Sequence, residues 1–337
     1  MSNKIKLIFL GNPEFAAKSL ASLVTDGRFD ILGVVTAKDK PVGRGKIITP
    51  PLVKKFAQQN NLEVWQPEKL KELTEKFQQL APDFLVVVAY GKLVPKSILN
   101  IPKYGCVNVH GSILPRYRGS AVIQAPILNG DTETGVTIML MDETLDTGPI
   151  LKIEKMELKG TENAEDVHDT LAELGAKTLP QTLVDLAEGK ITAQAQEGPS
   201  SYVKEISKED GHINWSKPAV EIERLVRGFS PWPGTFSVIP PPSEGGFGSK
   251  VTPLPEGRLG GVGDNKSKTI KILATEKEVL PVKKYQIGEA FLDNGKLAIQ
   301  CGDGALLITK LQIEGGKPLS TEEFLRGHKD FVGSILK

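Results

Sequence analysis

Residues 84–89, FLVVVA, form an unbroken apolar run that is too short for a free-standing helix and has no polar face. A run of that kind reads as a strand buried on both sides, and such a strand needs helices packed above and below it. The neighbouring sequence supplies them. Apolar, β-rich segments at residues 6–10, 31–35, 63–65, 106–110 and 135–140 alternate with helical spacing at 14–24, 51–59, 68–80 and 121–128. That order predicts a mostly parallel sheet with right-handed crossovers. A long amphipathic helix or helix pair follows over 164–186 and ends at Glu188-Gly189.

The texture then changes. Residues 191–201 are polar and poor in helix formers, and beyond them short apolar runs at 269–273, 296–300 and 305–311 are separated by Gly, Asp and Asn turns. Such spacing predicts a small antiparallel barrel or sandwich. A chain of 337 residues suits two units. We expect a first domain over 1–190, a linker over 191–203 and a second domain over 204–337. Residues 240–266 are rich in Pro, Gly and Ser, with too little apolar content to offset ordering entropy, and predict a mobile surface loop.

Bulk properties exclude several classes. The net charge is +1, so no general basic field advertises nucleic acid, and any such attraction must come from local patches. Cys106 and Cys301 are the two cysteines; they lie far apart without a CxxC pattern, so neither a disulfide framework nor a zinc site is expected. The apolar run near the N-terminus is shorter than a signal peptide requires, and no stretch approaches a membrane span. A soluble, intracellular protein is expected.

Two segments carry candidate chemistry. The first is CVNVHGSILPRYRGSAVIQ, residues 106–124. Strand alternation puts Asn108 and His110 on one face, with His110 at the carboxyl end, where open α/β sheets bind ligands. A lone histidine is ordinarily a satisfied core or surface residue; the strand-end place and the nearby Asn108 favour function. The second is GVTIMLMDETLDTGPI, residues 135–150, an apolar strand that runs out into Asp142, Glu143 and Asp146. Acidic residues there often only solvate a loop or cap a helix. Whether Asp146 reaches His110 depends on how the two loops meet.

Asn108-x-His110, then Ser112-Ile113-Leu114-Pro115, then Asp146 in the frame LDTG, resembles the folate-dependent formyltransferase family. PRYRGSAVIQ, with GNPEFA (11–16), PVGRGK (41–46), VVAYG (87–91), HINWS (212–216) and RGFSPWPG (227–234), is similar to the branch of that family whose amine is carried by initiator methionyl-tRNA. The likeness runs over nearly the whole chain with its motifs in order. Residues 240–266 depart from it, as an insertion within the second domain.

The resemblance implies an α/β catalytic domain, Rossmann-like with a mostly parallel sheet and helices on both faces, followed by a small OB-like β-barrel. It implies Asn108, His110 and Asp146 as catalytic residues, Ser112, Ile113, Leu114 and Pro115 as lining for the folate, and 10-formyltetrahydrofolate as formyl donor. Arg44 and Lys46, in a segment with six basic residues against one acidic over 38–55, are the implied tRNA contacts. No metal is implied. The expected partner is initiator methionyl-tRNA, with the chain acting as a monomer in the cytoplasm or an organellar, bacterial-type translation compartment.

The chemistry agrees with the residue types. When an amine attacks a formyl carbon, charge develops on the carbonyl oxygen, and His110 with the Asn108 amide can stabilise it. Asp146 suits the proton transfers. Other readings remain. A dinucleotide-dependent oxidoreductase would share the α/β half, but GNPEFA replaces GxGxxG after the first strand. An RNA-binding module leaves the three polar residues idle. Within the family, an amino-sugar formyltransferase or a 10-formyltetrahydrofolate hydrolase shares the trio; the Arg44 segment, HINWS and PWPG favour the tRNA substrate.

Overall fold

A computed structural model describes residues 4–43, 45–240 and 267–337. The chain divides into two compact units, Met1–Pro126 with Asp131–Glu205, and Ile127–Gly130 with Ile206–Lys337. Arg44 and residues 241–266 of the loop expected over 240–266 lie outside the described residues.

The first unit opens with β1 (Ile5–Gly11), α1 (Glu14–Thr25) and β2 (Phe29–Val35). Pro13 stands at the N-cap of α1, where a missing N–H costs nothing. Next come β3 (Lys40–Val42), β4 (Ile47–Thr49), α2 (Leu52–Gln59), β5 (Val64–Trp65), α3 (Thr74–Leu80), β6 (Phe84–Val88), α4 (Lys96–Leu99) and β7 (Cys106–His110). The unit continues through β8 (Arg118–Gly119), β9 (Glu133–Leu140), β10 (Ile150–Glu157), α6 (Ala164–Ala187) and β11 (Tyr202–Val203), while α5 (Gln124–Asn129) is divided between the units after Pro126.

The main sheet has the order β10-β9-β7-β6-β1-β2-β5, parallel from β7 through to β5. The order reverses between β1 and β6, the crevice where open α/β sheets place ligands. Helices cover both faces. On one, Ile8, Leu10, Leu85, Val87 and Cys106 of the strands pack among Leu70, Phe77, Ile98 and Leu99. On the other face α6 lies close over Val109 and Val136, and Gly175 is what lets it approach. The helix starts on a capping box in which the Asn163 side chain accepts from the N–H groups of Glu165 and Asp166.

Several elements differ from expectation. β9 runs antiparallel to β7, and β10 antiparallel to β9. The only helix between β7 and β9 is the short α5, shorter than the span of 121–128 expected, and it does not cross the sheet; direct antiparallel pairing is the result. The helix expected over 68–80 begins as a 3-10 turn, Leu70–Leu73. The basic segment is no plain loop: β3 and β4 pair as a hairpin. Residues 191–203, expected as a linker, bond along the first unit. Ile150 and Gln194 exchange backbone hydrogen bonds at 2.7 and 2.8 Å, and β11 pairs with β8. Its polar composition is that of an edge strap held by backbone and amide bonds instead of an apolar face.

The second unit contains α7 (Ala219–Gly228), β12 (Thr235–Ile239), β13 (Lys268–Leu280), β14 (Ala290–Asp293), β15 (Lys296–Gln300), β16 (Ala305–Ile313), β17 (Leu319–Ser320) and α8 (Thr321–Gly327). Its antiparallel sheet, β12-β13-β16-β15-β14 with β17 on β16, is barrel-like. Register shifts along β13 bend it as bulges do. Ile222 and Val226 of α7 join Trp215, Ile272, Ile299, Leu306 and Phe324 in the core.

Candidate active site

β7 carries Asn108 and His110 on the face that also holds Cys106. His110 is buried, and Asn108 is half-buried, with an amide that makes no hydrogen bond among the described residues. After His110 the chain folds back over the ring. The carbonyl oxygen of Tyr117 lies 2.9 Å from His110 Nε2 and also accepts from the Ser112 hydroxyl at 3.1 Å. A carbonyl only accepts, so Nε2 carries the ring hydrogen, and in the neutral ring Nδ1 keeps its lone pair. Tyr117 holds this position with φ 58°, in the left-handed region.

Nδ1 points toward Asp146, whose Oδ1 is 3.6 Å away; both side chains are largely shielded from water. That separation exceeds a hydrogen bond, so Nδ1 is near a carboxylate without being bound to it. Asp146 Oδ2 accepts from the Gly119 N–H at 2.8 Å. The route by which Asp146 arrives differs from a pair of neighbouring strand ends. β9 runs opposite to β7, with Leu140 beside Val107, so the loop after β9 leaves at the far end from His110. The 141–149 loop must return along the sheet. It does so with Asp146 at φ 55° and Gly148 packed on the Leu140 carbonyl, where an added Cβ would sit 1.9 Å from that oxygen. The Asp142 carboxyl, despite a burial cost, is held below the usual carboxylate range by the Thr147 hydroxyl and by Thr144.

The loop also walls a cavity of about 490 Å³, lined by Leu99, Cys106, Leu140, Met141 and Asp142 among others. None of Asn108, His110 and Asp146 lines it, so it neighbours the polar trio and is distinct from it. Among the described residues no group of three His, Cys, Asp or Glu is arranged to hold a metal ion.

A sequence profile described as formyl transferase matches residues 4–183, and one described as formyl transferase, C-terminal domain, matches 205–329. The chain belongs to the formyl transferase family. This formyl transferase is 40% identical over 335 residues to the methionyl-tRNA formyltransferase of Geotalea uraniireducens, a likeness covering 98% of each chain. It is 39% identical over 331 residues to the methionyl-tRNA formyltransferase of Marinobacter nauticus, covering 97% of this chain and 98% of that one. The solved structure of WlaRD, a sugar 3N-formyl transferase, superposes with TM-score 0.61 at 19% identity, over 94% of this chain and 100% of the other. An N-formyltransferase from Helicobacter canadensis gives TM-score 0.60 at 20% identity, over 90% and 98%. At that distance the two structures share the fold.

Within this formyl transferase, His110 and Asp146 face one another, and Asn108 stands two residues before His110 on the same strand face. Ser112 and Leu114 are buried, and the Ser112 hydroxyl is spent on the carbonyls of Arg116 and Tyr117 inside its own loop. Ile113 and Pro115 are partly exposed. Lys46 stands exposed at the tip of the β3–β4 hairpin, beside the exposed Ile47 and Ile48. Sequence reasoning missed Thr137, which pairs opposite His110 and pins residues 112–114: its hydroxyl donates to the Ser112 carbonyl at 2.6 Å and accepts from the Leu114 N–H at 3.1 Å. It missed Asn12 too, which ties three strand-end loops by donating to the Tyr90 carbonyl at 2.5 Å and accepting from the Ala37 N–H at 2.6 Å. The GNPEFA motif was the available signal for Asn12.

Proposed function

We infer that this formyl transferase moves the formyl group of 10-formyltetrahydrofolate onto the α-amino group of methionyl-initiator-tRNA, giving formylmethionyl-tRNA for translation initiation. The observation that carries this reading is the whole-length likeness to relatives named methionyl-tRNA formyltransferase. The arrangement of Asn108, His110 and Asp146 supports the chemistry.

In the reaction a bond forms between the amine nitrogen and the formyl carbon, and the bond from that carbon to the folate nitrogen breaks. The amine loses a proton and the departing nitrogen gains one. The unbonded Asn108 amide, and His110 through Nδ1 when the ring carries both protons, are the donors for the formyl oxygen as it becomes negative. His110 Nε2 is committed to the Tyr117 carbonyl, which fixes the ring. Asp146 faces Nδ1 and is the relay between the two nitrogens. The 112–115 turn, with the side chains of Ile113 and Pro115 outermost, lines the folate. Arg44 and Lys46 meet tRNA phosphates, and the exposed Ile47 and Ile48 of β4 offer an apolar edge beside them. The protein acts as a monomer in the cytoplasm, where charged initiator tRNA is found.

The test offers purified protein charged initiator tRNA and an amino sugar together, with labelled formyl donor. Label is expected on the tRNA; label on the sugar alone would overturn the reading. His110→Ala and Asp146→Ala should each lose ~10²–10⁴ in kcat while tRNA binding by filter retention persists. Near-normal turnover in either variant would remove that residue from the mechanism.

A further inference from the structure

Asp146 has φ 55°, in the left-handed region, where even an aspartate, which enters it more readily than most side chains, is held by its neighbours. The group that holds it comes from the strap. Gln196 Nε2 donates to the Asp146 carbonyl at 2.9 Å and to the Gly148 carbonyl at 2.8 Å. Gln196 Oε1 accepts from Arg118 Nη2 at 2.7 Å and Nε at 3.2 Å. Both ends of the amide are therefore in use.

We propose that Gln196 is a positioning residue for Asp146, keeping its carboxylate opposite His110 Nδ1. The inference rests on the reading of Asp146 as the proton relay.

The bonds close a circuit. His110 is tied to Tyr117, and the next two residues, Arg118 and Gly119, pair with β11 of the strap. Arg118 binds Gln196, Gln196 binds the backbone of Asp146, and Gly119 binds the Asp146 carboxylate. The Tyr117 N–H donates to the Ser201 hydroxyl at 2.9 Å, and Arg118 Nη1 donates to the Tyr202 hydroxyl at 3.1 Å. The strap thus spans the loop after His110 and the loop bearing Asp146 at once. Side-chain chemistry at position 196 is restrictive: the group must donate twice to carbonyls and accept from a guanidinium, which an amide does and a carboxylate does not. Without those donors the 146–148 turn can relax toward ordinary dihedrals, and a shift near 1 Å is enough to cost about 100-fold in rate.

The experiment measures kcat, KM for methionyl-tRNA and thermal unfolding for Gln196→Met, Asp146→Asn and the double variant in the full chain. Gln196→Met is expected to lose about 100-fold in kcat with KM for tRNA unchanged and unfolding close to native. In the Asp146→Asn background the same substitution should cost little more, because its effect passes through the missing carboxylate. Gln196→Glu keeps a partner for Arg118 but cannot donate to the two carbonyls. It should fold and lose turnover to a similar degree, which covers the case of a poorly folded methionine variant. Native kcat in a folded Gln196 variant, or a full additional loss on top of Asp146→Asn, would overturn the proposal. Native kcat in Asp146→Asn alone would instead remove Asp146 from the mechanism, and the role of Gln196 would go with it.

Discussion

Thr137 shows how one hydroxyl sets the shape of the site. It is fully buried in β9, opposite His110 in register, and it joins the Ser112 carbonyl to the Leu114 N–H. Thr137→Val keeps the side chain's shape and leaves both backbone groups without a partner. Each of the two orphaned groups costs ~1–3 kcal/mol, so we expect a loss of about 2–6 kcal/mol in urea unfolding. A loss under about 0.5 kcal/mol, the usual scale of a neutral surface change, would mean that water or a neighbour takes over the bonds. Nothing in GVTIML marks Thr137 for this task, since alternation says only that it points inward. Asn108 and His110 were legible because a strand's period of two fixes which residues share a face. The link from His110 to the Tyr117 carbonyl was not, because it depends on a loop dihedral that only tertiary contacts impose.

At the scale of elements, α6 and β7 meet at Gly175. A glycine inside a helix is ordinarily worse than alanine by about 0.5–1 kcal/mol, so Gly175→Ala should stabilise the protein if the site had room. A Cβ there would lie 2.9 Å from Val109 Cγ1. Overpacking of that kind costs ~1–3 kcal/mol, and we expect it to prevail. Val109 sits between Asn108 and His110, so a pushed β7 should also lower turnover. A rise in the denaturation midpoint would contradict this packing argument. The apolar runs foretold most strands of the first unit, and in the second they foretold β15, most of β16 and the start of β13. They did not foretell the direction of β9, the β3–β4 hairpin or the strap. Propensity says that a segment is extended; its partner and direction are set by residues far away in sequence. The amphipathic α7 was readable from Ala219, Ile222 and Val226 but was masked by the turn-rich sequence around it.

For the molecule as a whole, each unit buries one thiol. Burial pushes both Cys106 and Cys301 up to about 12. A raised folded value means the thiol stays neutral in the folded chain while the unfolded chain ionises above the ordinary thiol value of 9.0. The contribution is fully present below that value and is lost as pH rises through 9 toward 12. By pH 10 the loss is about 1 kcal/mol per thiol. Stability in urea should therefore drop further between pH 8 and pH 10 in the native chain than in the Cys106→Ala, Cys301→Ala variant; equal drops would show that the thiols do not carry it.

The strap has a bearing on inheritance as well as on catalysis. The two family profiles end at residue 183 and resume at 205, so Gln196, Ser201 and Tyr202 fall in the seam between them. A hybrid spliced at those two ends would retain Asn108, His110 and Asp146 while discarding the piece that fixes their geometry. The seam travels with the first half, and a recombination point that preserves activity lies beyond Val203.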